Sequence, residues 1–153
     1  MPTRPKVAAS RGRVGSPLAG TSKAKPRKPK APKTSGGDCY EAAAKYILSV
    51  GNPAFGGTTG AAENLIVVHA EVMGQGPLEG TTFGHGFVVD KSSDTVIDKS
   101  NGRNLHLPRV LYYAIGQIEY IGNIHEYTCN EVAEKMLESG HYGPWDLKTS
   151  SGL

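Results

Sequence analysis

Gly84-His85-Gly86-Phe87-Val88-Val89-Asp90, followed by Lys91-Ser92-Ser93-Asp94 and then Thr95-Val96-Ile97-Asp98, reads as a β-hairpin. β-Branched and aromatic residues fill both arms, and the polar stretch 91–94 makes the turn. Pairing Asp90 with Thr95 sets Val89 against Val96, Phe87 against Asp98 and His85 against Ser100. Side chains alternate between faces with a period of two. His85, Phe87 and Val89 therefore share a face with Val96, Asp98 and Ser100. His85 and Asp98 become diagonal neighbours, roughly 5–8 Å apart at the backbone and within reach of a side-chain hydrogen bond. A two- or four-residue turn gives this parity; a three-residue turn without a bulge puts Asp98 on the other face and removes the pair.

Upstream of the hairpin, Asp38 is a candidate N-cap, and Cys39 to Val50 reads as an Ala-rich helix stopped by Gly51-Asn52-Pro53. Ala43, Tyr46, Ile47 and Val50 recur at helical spacing and are expected to face the core. Leu65 to Val72 is almost continuously apolar and β-branched, as in a buried strand. A glycine-rich loop is expected over 74–84. Residues 108–115 fit helix or strand, with Pro108 favouring helix, and 117–121 reads as a strand. Thr128-Cys129-Asn130-Glu131 is a capping box opening a helix to about Ser139, before Gly140. The expected fold is α+β: a mostly antiparallel sheet packed with an N-terminal cysteine-bearing helix and a C-terminal helix.

Charge divides the chain into an arm, 1–37, and a body, 38–153. The arm holds ten Lys/Arg, six of the ten prolines and no acid, while the body sets seven Lys/Arg against fourteen Asp/Glu, a net −7. The arm has too few large apolar residues to offset its ordering entropy and is expected to be disordered. Its charge suits non-specific attachment to nucleic acid or another polyanion. A solubilising linker or a targeting segment fits as well, although Pro2, Pro5 and Pro17 oppose the amphipathic helix of an organelle transit peptide. The sequence shows neither a secretory h-region nor an apolar run long enough for a membrane span, so a cytoplasmic location is expected, with virion association as an alternative.

The two cysteines, Cys39 and Cys129, are too few for a disulfide scaffold. They would be free thiols in a reducing compartment, and pairing them would disable a nucleophile. A cysteine at a helix start, a histidine on a strand and an acid on the next strand supply what thiol-based acyl transfer needs: nucleophile, proton carrier and orienter. The helix start favours a thiolate at Cys39, which Asp38 opposes unless its side chain turns away. The N–H of Cys39 and the amide of Gln75 are the oxyanion candidates, and Asn101 is an alternative orienter to Asp98. Each residue also has an ordinary reading: Cys39 as packed core, His85 as a strand cap, Gln75 as an exposed loop residue, Asp98 as the acceptor of an Asx-turn. Trp145 is expected to pack on the core, with a groove-lining role as the alternative. His69, His106, His125 and His141 lack metal-ligand spacing, and Gly74-Gln75-Gly76 is not a phosphate loop, so no metal or cofactor is expected.

Gly84-His85-Gly86-Phe87-Val88-Val89 followed by Thr95-Val96-Ile97-Asp98-Lys99-Ser100 resembles the histidine–aspartate hairpin of transglutaminase-like proteins, within the papain-like superfamily of cysteine hydrolases and acyltransferases. The resemblance spans about residues 38–101. Cys39, His85 and Asp98 stand in that family's order, with Phe87 where Trp is common and without a Gly-Xaa-Cys-Trp context at Cys39. It implies a papain-like fold for 38–153 and a Cys-His-Asp triad acting through a thioester on a protein or peptide acyl substrate. A competing reading is a non-catalytic accessory protein of viral, phage or mobile-element type, tethered to nucleic acid by residues 1–37. A third makes the acidic body an inhibitor or adaptor for a basic protein surface.

Overall fold

The computed structural model describes residues 38–150, so the expectations for the arm 1–37 lie outside the described residues. Five strands, β1 (Leu65–Met73), β2 (Thr82–Asp90), β3 (Thr95–Asp98), β4 (Leu105–Pro108) and β5 (Ile124–Tyr127), form one antiparallel sheet in the order β4-β3-β2-β1-β5. Four helices accompany it: α1 (Cys39–Gly51), α2 (Arg109–Ile115), α3 (Ile118–Ile121) and α4 (Cys129–Ser139). The architecture is α+β, as the sequence pattern implies.

β1 and β2 lie at the centre and are covered on both sides, which is why β1 reads as a continuous apolar run rather than an alternating one. On one face Ala43, Ala44, Ile47 and Leu48 of α1 and Val132 of α4 pack on Val67, Val88, Ile97 and Tyr127. Full burial of Ile47 and Leu48 contributes about 1.5–3 kcal/mol each towards holding α1 to the sheet. On the other face Phe87, Val89, Val96 and Val68 meet Tyr113 of α2 and Ile118 of α3. Trp145 packs against the first of these clusters. Among the described residues no helix is long and apolar enough to cross a membrane.

The hairpin register is the one required for the His85–Asp98 pair: Asp90 faces Thr95, Val89 faces Val96 and Val88 faces Ile97. At the C-terminal helix, Thr128 accepts from Glu131 N, Glu131 accepts from Thr128 N, and Gly140 ends the helix at φ 78. Two expectations are corrected. Residues 117–121 are not a strand: Gln117 (φ 52) and Gly122 (φ 75) are left-handed and bracket the short helix α3, whose Ile118 is fully buried. The loop after β1 is also shorter than 74–84, because β2 begins at Thr82 and extends the ladder with β1 to Met73.

β2 outruns its partner β3, which pairs only with Val88–Asp90. The start of α1 packs against the part of β2 that β3 leaves bare. Glycine permits the approach. A Cβ on Gly86 would lie 2.9 Å from Tyr40 Cδ1 and 3.3 Å from Tyr40 Cα, and one on Gly84 would collide with the Tyr40 hydroxyl. His85 is thus flanked by the two residues that let the cysteine-bearing helix reach its strand.

Candidate active site

Cys39 opens α1, is a free thiol and is almost fully buried. Its sulfur accepts the N–H of Gly86 at 3.4 Å, a bond that stabilises negative charge on sulfur. The sulfur also lies close enough to His85 to raise the proton affinity of the ring, although the aligned bond to sulfur is the one from Gly86. Asp38 does not cap the helix with its side chain. Its Oδ1 instead accepts the N–H of Asn101 at 2.7 Å, across to the loop after β3. Glu41, the acid in the first turn, is paired with Lys45.

His85 Nε2 lies 3.0 Å from Asp98 Oδ2, which leaves Nδ1 as the ring nitrogen available to sulfur. Burial works against the imidazolium, but the bond to Asp98 and the proximity of Cys39 outweigh it and push the ring up to about 9. Asp98 is buried, which disfavours its charge, yet the bonds from His85 and Ser100 hold its carboxyl below the ordinary range. Its two oxygens divide the labour. Oδ1 accepts the N–H of Ser100 at 2.9 Å and the Ser100 hydroxyl at 2.6 Å, while Oδ2 serves the imidazole. Asp98 thus bonds the turn through one oxygen and the imidazole through the other.

The other sequence candidates lie elsewhere in the network. Gln75 braces its own loop: its amide nitrogen donates to the carbonyls of Met73, Gly74 and Ile115, and none of these bonds involves the start of α1. Asn101 is left-handed at φ 55 and reaches Asp38 through its backbone, while the imidazole takes Asp98 as its partner. His69 is a buried core histidine. It is ringed by Tyr40, Tyr127 and Trp145 at 4.8–5.1 Å, and burial, with His125 adding to it, lowers its pKa to about 4. Among the described residues no group of three His, Cys, Asp or Glu is arranged to hold a metal ion.

Sequence reasoning missed Tyr112. Its hydroxyl donates to Asp98 Oδ2 at 2.7 Å, sharing that oxygen with His85. Fourteen residues separate it from Asp98, and only the packing of α2 across the sheet face, ring against Phe87 at 4.9 Å, brings it there. Tyr112→Phe removes this donor and leaves the carboxylate more basic. The His85 titration midpoint, followed by NMR, is then expected to rise above the wild-type value. The unfolding free energy should fall by about 1.5–3 kcal/mol, the usual worth of a hydrogen bond to a charged group. An unmoved midpoint would mean that the hydroxyl has no part in setting the pair.

No family model, curated protein or solved structure matches the chain.

Proposed function

We propose that this chain is a small cysteine-dependent hydrolase or acyltransferase in which Cys39 is the nucleophile, His85 the proton carrier and Asp98 the orienter. The observation that carries the reading is His85, with one ring nitrogen bonded to a buried carboxylate and its other side next to a free thiol held by a backbone N–H. In the first half-reaction the thiolate adds to an acyl carbonyl. The bond from that carbon to the leaving amine or thiol breaks, and the leaving group takes the imidazolium proton. The thioester is then resolved by water or an amine, whose proton returns to His85. Hydrolysis and transfer share this half-reaction and differ only in the second acceptor. The order of the three residues, which resembles that of transglutaminase-like proteins, supports the same chemistry.

Burial of Cys39 means that attack on an external carbonyl requires the start of α1 and its surroundings to open locally. Cys129 is the internal reference: its thiol donates to the Ile47 carbonyl at 3.6 Å, and burial raises its pKa. Iodoacetamide near neutral pH, with both cysteine peptides followed by mass spectrometry, is expected to alkylate Cys39 at least tenfold faster than Cys129. Equal, slow labelling of the two would remove the enzyme reading.

A further inference from the structure

We propose that Arg103 is an anion-binding group beside the thiol site, and that the acyl donor carries a carboxylate. The proposal rests on the acyl-transfer reading above and extends it to the substrate class.

The turn Ser100–Gly102 connects both ends of the site. Asn101 donates its N–H to Asp38, the residue before the nucleophile, and Ser100 donates twice to Asp98. Two successive left-handed residues, Asn101 (φ 55) and Gly102 (φ 76), then turn the chain so that Arg103 folds back on the same serine. Its Nε donates to the Ser100 carbonyl at 3.3 Å and its Nη2 to the Ser100 hydroxyl at 2.8 Å. One edge of the guanidinium is thereby fixed.

The other edge is not used. The side chain is 50% exposed, and Nη1 has no hydrogen-bond partner among the described residues. Nη2 is ion-paired with the buried Asp98 carboxylate at 3.7 Å, too long for a hydrogen bond, and that carboxylate already takes bonds from His85, Tyr112 and Ser100, so Nη1 is the part of the guanidinium left for a second anion. A planar fork, ordered before binding and open on one edge, matches a carboxylate in two-point contact, and its fixed rotamer lowers the entropic cost of that contact. It is also a cation in a body that carries twice as many acids as Lys and Arg.

The test uses the full chain and pairs of iodoacetamides of equal length, one with an N-carboxyalkyl tail and one with a neutral N-alkyl tail. In each case sulfur displaces iodide and a carbon–sulfur bond forms. At Cys39 the carboxylated probe is expected to react about tenfold faster than its neutral partner, with no such ratio at Cys129. Arg103→Gln should bring the ratio at Cys39 close to one, and Arg103→Lys, which keeps the charge without the fork, should retain part of it. His85 is common to all three proteins, so a change in the ratio belongs to Arg103. Two further probes separate the sources of the carboxylate: an iodoacetyl peptide with a free C-terminus and no acidic side chain, and its C-terminal amide carrying one glutamate. A faster rate for either over its uncharged analogue supports the proposal and names the source. A ratio near one in the wild type, or a ratio that survives Arg103→Gln, overturns it while leaving the acyl-transfer reading intact. If the neutral probe alkylates Cys39 no faster than Cys129, the acyl-transfer reading fails and takes this proposal with it.

Discussion

Alanine at His85 is expected to slow alkylation of Cys39 by about 100-fold at pH 7, the lower end of what a positioned acid–base group contributes. The cause is electrostatic. The ring holds its proton up to about pH 9, so at neutrality an imidazolium stands beside the sulfur, where it can stabilise charge in the transition state of alkylation. Above pH 9 the wild-type ring loses that proton, so the gap between the two proteins should close as the pH rises through 9. Rates at the Cys39 peptide measured from pH 6 to 10 give both numbers, and a gap that is absent or independent of pH would contradict the assigned role. The same group makes stability depend on pH. Its folded pKa lies above the ordinary value of 6.5, so its contribution is fully present below about 6.5 and is lost as the pH rises through about 9. Urea unfolding midpoints of the wild type should fall across that window, and those of His85→Ala should be flatter.

Asp98→Ala should cost about 3–5 kcal/mol of folding stability, because it leaves a buried charged partner uncompensated. The donors stranded by the change are His85 Nε2, the N–H and hydroxyl of Ser100, and the Tyr112 hydroxyl. Asp98→Asn separates shape from charge. It keeps an oxygen for the Ser100 donors, so its stability loss should be smaller, but it removes the anion that holds the imidazolium. The His85 midpoint should then drop from about 9 towards the ordinary 6.5. Urea unfolding and NMR titration read the two effects independently. An alanine variant as stable as the wild type would mean that the carboxylate is not the centre of the network.

The parts of this protein legible in its sequence are those set by short-range rules. Hairpin parity follows from the period-two alternation of 85–90 against 95–98, and it was enough to place His85 beside Asp98. The ends of α4 follow from a capping box and a glycine. The strands β4 and β5 escaped because four residues are too few to show a period. Both lie at the edges of the sheet, with polar residues such as His106, His125 and Glu126 among the apolar ones. The segment 117–121 looked like a strand because nothing in its composition announces a left-handed glutamine. Within the site, the residues that touch across one hairpin were readable, whereas Tyr112 and Arg103 depend on how α2 and the turn after β3 settle. Gln75, chosen for its loop, is held by a carbonyl forty residues away that no local rule would indicate.

The fit of Tyr40 over Gly84 and Gly86 makes these three positions interdependent over evolutionary time. A methyl group gained at either glycine would press the start of α1, and Cys39 with it, away from β2 unless Tyr40 and its neighbours shift in compensation. Substitutions here are therefore expected in matched sets, and a lineage that varies one position alone would be expected to keep its sheet while displacing Cys39 from His85.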